Sequence, residues 1–186
     1  MTKKEHFNNV VLSLIHERGF KATTMRDIAS ALKCDVSNLY NYISSKQVFL
    51  EELLFMMNDQ FHTRIDQIMQ SNLTPDKQLQ EVIRMYVEFS HQQPREVGIL
   101  LNEWKHLRGE QLARFNKEKH KFEKKISAII KNGIKSGHFK SLNVRLITHF
   151  MLSSLRMLFI HSEINKNTLQ LQSEISEYIL HGISNN

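Results

Sequence analysis

The sequence contains few of the residues that build cross-linked or loop-rich folds. Its single cysteine, Cys34, excludes an internal disulfide and suits a reducing compartment. Only two prolines and six glycines are present in 186 residues, so long helices are favoured over a strand-and-turn architecture. Hydrophobic residues still make up 41% of the chain, which is enough to form a core and excludes a disordered protein.

Long apolar runs are also missing. A membrane-spanning helix needs about 20 consecutive apolar residues, and the apolar stretch at residues 150–160 is interrupted by Ser153, Ser154 and Arg156. The N-terminus lacks the apolar segment and small-residue cleavage site of a signal peptide. We therefore expect a cytoplasmic protein without a membrane attachment.

Positive charge is in excess and unevenly distributed. The formal net charge of +6 favours a polyanionic partner such as nucleic acid. Residues 1–50 contain seven Lys or Arg against four Asp or Glu, whereas residues 105–145 contain twelve against three. The strongest basic cluster therefore lies outside the first fifty residues.

The spacing of apolar residues predicts an all-α protein of about nine helices. Apolar side chains recur at intervals of three and four residues, and no segment alternates as a strand would. The first helix is predicted to end at Gly19. The others are predicted over residues 25–32, 36–43, 46–70, 75–91, 95–107, 110–136, 144–160 and 168–183. Residues 144–160 are apolar on almost every side, so we expect this helix to be buried on more than one face.

Residues 24–42 contain two short amphipathic helices joined by a tight turn at residues 33–35. Thr24 and Asp27 have the spacing of a capping box, and Asp35 is placed to cap the second helix. Neither helix is long enough to be stable alone, so we expect a helix-turn-helix whose second helix enters the major groove of DNA. Residues 1–47 are then a DNA-binding domain, and residues 48–186 are a second helical domain.

The outward side chains of the second helix are uncharged hydrogen-bonding groups. They are Ser37, Asn38, Asn41 and Tyr42, with Tyr40 at the edge. Asparagine can bond adenine through two hydrogen bonds, whereas serine and tyrosine more often contact phosphate oxygens. Lys46, at the start of the following helix, is placed to contact the DNA backbone.

This region resembles the DNA-binding signature of the TetR family of transcriptional regulators over about fifty residues. The resemblance is carried by residues 20–29 (FKATTMRDIA), 39–43 (LYNYI) and 45–46 (SK). It implies two sets of DNA contacts. The phosphate-contacting positions are Thr24, Tyr40, Tyr42 and Lys46. The base-facing positions are Val36, Ser37, Asn38 and Asn41.

Three positions depart from that signature. Lys33 stands where the family usually has glycine, Asp35 where serine or threonine is common, and Val36 where lysine or arginine is frequent. Asp35 brings negative charge towards DNA. We therefore expect weaker binding by this helix, or a contribution from Lys33 that offsets the charge.

The resemblance also implies that the second domain binds a small-molecule effector and forms a homodimer through the helices at residues 144–160 and 168–183. Two recognition helices about 34 Å apart would then bind a palindromic operator, and the effector would change that spacing. More loosely, residues 103–110 (EWKHLRGE) and the basic helix after them are similar to the acyl-CoA-responsive branch of the family. Members of that branch repress fatty-acid or sterol degradation. The implied ligand is hydrophobic or amphipathic, with an acyl-CoA as one candidate.

The candidate ligand-contacting residues are Phe89, Trp104, Phe122, Phe150 and Arg156. Helical bundles often hold cavities between their helices, although these aromatic residues also suit an ordinary core. Arg156 lies within an apolar helix, where it would meet an acidic group, a partner subunit or an anionic ligand, or extend to solvent. The lysines of residues 117–135 either bind ligand phosphates or form a solvated face.

The sequence also leaves two alternative functions open. Glu88 with His91, and Glu103 with His106, have the Glu-x-x-His spacing of di-iron bundles. Such a site needs two further inward carboxylates, which the helical pattern does not supply, so we expect no metal, no cofactor and no enzymatic activity. A structural protein of the nucleoid, or a cell-division regulator with this fold, is the other alternative. We expect a homodimeric repressor that binds chromosomal DNA.

Overall fold

The computed structural model describes residues 2–159 and 168–184. These residues form nine α-helices and two short 3₁₀ turns, at Trp104–His106 and Met157–Phe159. The helices are α1 (Lys3–Arg18), α2 (Met25–Leu32), α3 (Val36–Leu39), α4 (Lys46–Gln70), α5 (Pro75–Gln92), α6 (Pro94–Glu103), α7 (Gly109–Lys135), α8 (Val144–Arg156) and α9 (Thr168–Ile183). The described residues contain no strand, only an isolated bridge between Phe139 and Ser184. The all-α prediction is confirmed. Ile160, the predicted end of the penultimate helix, lies outside the described residues.

Local capping signals explain where several helices begin. The Thr24 hydroxyl accepts a hydrogen bond from the Asp27 amide at 3.2 Å, and the Asp27 carboxylate accepts one from the Thr24 amide at 2.7 Å. Ser45 caps α4 by accepting a hydrogen bond from the Val48 amide at 3.1 Å. The predicted cap at Asp35 is wrong, because this residue occupies the position before α3 but its side chain makes no capping hydrogen bond.

The chain divides into two compact units. The first contains residues up to 58 together with residues 95–116, and the second contains residues 59–94 and the described residues from 117 onwards. The predicted domain boundary between residues 47 and 48 falls within α4, and it stays a prediction. Among the described helices, none combines the length and the apolar character that crossing a membrane requires.

The first unit has a core shared by α1, α2, α3, the first half of α4, and α6. Leu39 and Leu50 are fully buried, and Phe7, Ile15 and Ile28 are almost so. Each buried aliphatic side chain contributes roughly 1.5–3 kcal/mol relative to leaving it in water. Because α2 and α3 are so short, this burial and not their own propensity holds them in place.

The second unit is centred on α5. The buried face of this helix includes Leu79, Val82, Ile83 and Val87, all of them fully buried. Helix α9 packs along α5, and α7 contributes a row of buried isoleucines at positions 126, 129 and 130. Helix α8 buries Met151 and Leu155 but leaves Leu146 and Phe150 65% and 61% exposed. The helix predicted to be buried on several sides is thus buried on only one within a single chain.

Candidate nucleic-acid interface

The polar side chains predicted to face DNA lie on the surface of the first unit. Ser37, Asn38 and Asn41 are exposed, and Val36 is half-buried at the start of α3. Leu39 and Ile43, on the other side of the same turn, are buried. The polar set is therefore presented outward by a segment that is anchored through its apolar side.

The segment after α3 continues as a turn and does not extend the helix. Helix α3 ends at Leu39, and the amides of Tyr42 and Ile43 both donate to the Leu39 carbonyl, at 2.9 and 3.1 Å. The helix predicted to reach residue 43 is therefore shorter, although the chain keeps a helical path. Asn41 is carried on this turn and remains exposed.

The two tyrosines of this segment differ in their surroundings. Tyr40 is 57% exposed. The ring of Tyr42 stacks on Phe7 of α1, with centroids 5.2 Å apart and an angle of 14° between the ring planes. Such a stack fixes the orientation of a side chain that is otherwise at the surface. Phe7 is therefore a supporting residue that the sequence did not reveal, since its helical spacing indicated only a core position.

Thr24 and Asp27 form a tight reciprocal pair at the start of α2. The Thr24 hydroxyl donates to the Asp27 carboxylate at 2.6 Å. The hydrogen bonds from the Thr24 side chain and backbone hold the pKa of Asp27 below its ordinary value. Both donors of the exposed Thr24 are directed to Asp27, and its contact with a phosphate oxygen stays a prediction.

Lys33 has an unusual backbone conformation. It follows α2 with φ of 53°, in the left-handed region that favours glycine, and its amide donates to the Ser30 carbonyl at 3.1 Å. The left-handed conformation costs a non-glycine residue roughly 1–2 kcal/mol. The exposed Lys33 side chain is thus kept at a position where glycine would be less strained.

Lys46 makes its contacts inside the first unit. Its ammonium donates hydrogen bonds to the carbonyls of Phe20 and Thr23 and lies 4.2 Å from the centroid of the Phe20 ring. Burial lowers the pKa of Lys46, while Asp27 and Glu103 oppose that shift. The expected contact between Lys46 and the DNA backbone stays a prediction. The sequence alone did not identify the Phe20 carbonyl as an acceptor for Lys46, although Phe20 is the first residue of the motif at residues 20–29.

The candidate ligand-contacting residues fall into different surroundings. Phe89 and Phe122 are buried in the second unit, where both rings lie against Phe61 with centroids 4.6 and 5.9 Å away. Trp104 belongs to the first unit, where it stacks on Phe115 at 6.0 Å. Phe150 and Arg156 are exposed on α8. The second unit therefore holds two of the five residues in one aromatic cluster.

The buried aromatic cluster of the second unit also contains Tyr86. Its ring lies 5.3 Å from Phe61, and burial, reinforced by the charge of Glu123, raises the pKa of its hydroxyl well above the ordinary value. Tyr86 was not among the ligand-contacting residues predicted from the sequence. The cluster combines large apolar surface with one neutral hydroxyl.

Both carboxylates of the Glu-x-x-His motifs have basic side chains beside them, two arginines for Glu88 and the imidazole of His106 for Glu103. Glu88 accepts hydrogen bonds from Arg64 at 2.7 Å and from Arg84 at 3.0 Å. Glu103 lies 3.2 Å from the Nε2 of His106. Within residues 2–159 and 168–184, no group of three or more histidine, cysteine or acidic side chains is arranged to hold a metal ion.

Two family models match separate parts of the chain. Residues 11–53 match the bacterial regulatory proteins of the tetR family, and residues 72–159 match a tetracyclin repressor-like C-terminal domain. The first match contains α2, α3 and the exposed polar set. The second covers α5 and α6 and most of the helices that follow.

Sequence relatives and solved structures agree with these matches. The HTH-type transcriptional repressor KstR2 of Rhodococcus jostii is 28% identical over 145 residues, covering 77% of this chain and 71% of the relative. The structure of the ketosteroid transcriptional regulator KstR2 of Mycobacterium tuberculosis has a TM-score of 0.86 at 23% identity, covering 100% of this chain and 96% of that one. AibR, solved in complex with isovaleryl coenzyme A and operator DNA, has a TM-score of 0.83 at 18% identity, covering 95% and 97%.

The two matched regions together account for most of the sequence, and each lies where the corresponding helices are found. The N-terminal match coincides with the helix-turn-helix, whose polar face is exposed and whose apolar face is buried. The resemblance first indicated by residues 20–46 is thereby confirmed. The chain belongs to the TetR family and is a DNA-binding transcriptional regulator.

Proposed function

We propose that the protein is a homodimeric repressor that binds a palindromic operator through α2 and α3 and leaves it when a hydrophobic or amphipathic ligand binds. The observation that carries this proposal is the exposed polar set of Ser37, Asn38 and Asn41 on a segment whose other side is buried. The protein would act on chromosomal DNA in the cytoplasm, without catalysing a reaction.

The proposed DNA contacts divide by chemistry. Val36, Ser37, Asn38 and Asn41 face the base edges. Thr24, Lys33, Tyr40, Tyr42 and Lys46 are the proposed contacts with the sugar–phosphate backbone. The base contacts give sequence preference, whereas the backbone contacts give affinity that depends on salt. Only Lys33 and Lys46 in this set are cationic, so much of the affinity should come from uncharged hydrogen bonds.

Asn41→Ala is expected to reduce sequence preference. A duplex enriched from a random-sequence library by the wild-type protein serves as the operator. The variant should bind that duplex about tenfold more weakly or worse, because one bidentate contact discriminates by about 1–3 kcal/mol. Its affinity for a mixed-sequence duplex should change little, as measured by fluorescence anisotropy.

Asn72→Ala is the matched control, since Asn72 is also exposed but lies between α4 and α5. An equal loss of affinity for both duplexes in Asn41→Ala would contradict a base contact. Enriched sites scattered over a chromosome in place of a few promoters would contradict the operator model itself.

We further infer that the ligand carries an acyl chain, with an acyl-CoA as the leading class. AibR, a structural neighbour, is described in complex with isovaleryl coenzyme A. In this chain the buried aromatic cluster of Phe61, Phe89 and Phe122 is the proposed contact for the apolar part of the ligand. The exposed lysines on α7 offer charges for phosphates. They are Lys117, Lys119, Lys121, Lys124, Lys131 and Lys135.

Isovaleryl-CoA or a longer acyl-CoA is therefore expected to release the protein from the selected duplex, while CoA without an acyl group does not. Phe122→Ala should raise the acyl-CoA concentration needed for release about tenfold, because it removes part of the proposed apolar contact. Met69→Ala, which changes an exposed side chain of α4, should leave it unchanged. Failure of every acyl chain length to release the duplex would contradict this ligand class.

The proposed dimer forms through α8 and α9. Leu146 and Phe150 lie four residues apart on one face of α8, and both are mostly exposed in the single chain. Tyr178 of α9 is 75% exposed. Large apolar side chains grouped on one helical face are typical of a surface that is covered by a second copy.

A further inference from the structure

The short connection between α1 and α2 is held by side chains from two other parts of the first unit. Phe20 lies in this connection and is only 7% exposed. Lys46, from the first turn of α4, donates hydrogen bonds to the carbonyls of Phe20 and Thr23. The same ammonium lies 4.2 Å from the centroid of the Phe20 ring, a favourable cation–π distance.

The Phe20 ring also contacts the 3₁₀ turn that follows α6. The imidazole of His106 stacks on it with centroids 5.5 Å apart and an angle of 22° between the planes. Glu103 lies 3.2 Å from the Nε2 of His106, and Gln47 donates from its amide to the His106 carbonyl at 3.2 Å. Two consecutive residues of α4 therefore hold the two segments that meet at the Phe20 ring. Lys46 binds the connection between α1 and α2, and Gln47 binds the 3₁₀ turn.

We propose that this group, the Phe20 cluster (Phe20, Lys46, Gln47, Glu103 and His106), fixes the helix-turn-helix onto the first turn of α4 and the 3₁₀ turn. Lys46 and His106 are then positioning residues for DNA binding. The inference rests on the proposed DNA contacts of α2 and α3. It is the alternative to the phosphate contact proposed above for Lys46, since the ammonium is already bound to two carbonyls and an aromatic ring. The salt dependence of DNA binding decides between the two.

The charges around His106 favour its neutral form. Burial lowers the pKa of His106, the carboxylate of Glu103 opposes this shift, and the neighbouring Lys21, Lys105 and Lys46 add to it. A proton on His106 would place a further positive charge beside those three lysines. The neutral ring is therefore the form that packs on Phe20, and the cluster should loosen when His106 becomes protonated.

The sign of the resulting pH dependence follows from the lowered pKa. The unfolded chain binds this proton more readily than the folded one, so the stabilisation is fully present above the ordinary histidine pKa of about 6.5. It is lost as the pH falls through the lower pKa of the folded state. The DNA affinity of the wild type should fall over the same range, relative to a variant that cannot titrate at position 106.

The first test separates positioning from phosphate binding at Lys46. Lys46→Met keeps the apolar stem but removes the ammonium. We expect it to bind the selected duplex about tenfold more weakly with the same slope of log affinity against log salt as the wild type. A phosphate contact would instead lower the magnitude of that slope by about 0.9. A reduced slope in Lys46→Met would overturn the positioning role.

The second test uses the ring at position 106. His106→Phe keeps the aromatic contact but cannot be protonated, so it should bind DNA within about twofold of the wild type at pH 7.5 and lose the decline at low pH. His106→Ala should bind about fivefold to tenfold more weakly than the wild type at pH 7.5, and this difference should shrink at low pH, where the wild type also loses the contact. His120→Ala is the control, because His120 is exposed on α7. Equal affinities of His106→Ala and the wild type at every pH would overturn the role of the stack.

A third measurement does not depend on DNA. A double-mutant cycle of Lys46→Met and Phe20→Leu compares the double variant with the two single variants. The increase in the unfolding equilibrium constant of the double variant should be smaller than the product of the two single increases by about fivefold or more. Independent effects in this cycle would overturn the cluster. If the cycle shows coupling but the wild-type protein enriches no duplex, the cluster stands and the proposed DNA contacts fail.

Discussion

The double variant Leu146→Glu and Phe150→Glu is expected to be a monomer at micromolar concentration. In the single chain these side chains are 65% and 61% exposed, so glutamate can be accommodated in the folded monomer at little cost. In the proposed dimer they are buried, where an unpaired carboxylate costs several kcal/mol. A loss of about 3–5 kcal/mol per buried charge weakens association by well over 100-fold.

The same variant should lose nearly all preference for a palindromic duplex over a half-site. Two recognition helices bind a palindrome together only while a dimer holds them about one helical turn of DNA apart. Sedimentation velocity gives the mass, and anisotropy with full-site and half-site duplexes gives the preference. Circular dichroism checks that the helices are retained.

Leu73→Glu is the matched control for this charge change. Leu73 is a large apolar residue that is 44% exposed, but it lies in the connection between α4 and α5. It should leave both the mass and the DNA affinity unchanged. A dimeric Leu146→Glu, Phe150→Glu protein would place the dimer contact elsewhere on the chain.

The helices were predictable from the sequence because their boundaries rest on local chemistry. Thr24 with Asp27 and Ser45 each cap a helix through neighbours three residues away, and Pro75 takes the first position of α5. Apolar spacing then fixes which side of each helix is buried. These signals depend only on nearby residues, so they can be recognised without knowledge of the tertiary structure.

The contacts that support the DNA-binding surface could not be predicted in this way. Tyr42 stacks on Phe7, 35 positions earlier in the numbering, and Lys46 binds carbonyls 23 and 26 residues before it. Such pairs depend on how helices pack, which local spacing does not specify. At Asp35 the sequence predicted a contact that the structure does not contain. This residue is suited to capping but makes no capping hydrogen bond.

At Lys33 the sequence departs from the family signature, and the backbone conformation shows the consequence of that departure. The family resemblance placed it where glycine is usual, and its φ of 53° shows why glycine suits that position. A lysine at this position costs conformational energy, and its proposed role is to offset the charge of Asp35 near DNA. That role remains a prediction of the DNA-binding model.

Gly133→Ala is expected to destabilise the second unit strongly. A methyl group at this position of α7 would lie 2.1 Å from one carbon of the Phe139 ring and 2.2 Å from the next. The chain turns back after Gly137, and the Phe139 amide donates to the Gly133 carbonyl at 3.1 Å, which holds the ring against the helix. Phe139 is only 1% exposed, so its ring has no open space to enter.

Overpacking of this kind costs about 1–3 kcal/mol and more when a buried ring must move. We expect a loss of about 3 kcal/mol, which lowers the melting temperature of a chain of this length by roughly 6–12 °C. Differential scanning calorimetry measures this directly. Phe139→Leu should destabilise the wild type by itself, but it should cost less in the Gly133→Ala background, because the smaller side chain relieves the clash.

Gly182→Ala is the matched control and should have the opposite sign. Gly182 lies within α9, and a methyl group there would meet no atom within 4 Å. Alanine is preferred over glycine inside a helix by about 0.8–1 kcal/mol, so this variant should melt slightly higher than the wild type. The same gain applies at position 133, so the cost of the clash with Phe139 is the net loss measured there plus that gain. Equal and positive shifts for both variants would show that the Phe139 ring does not rest on α7.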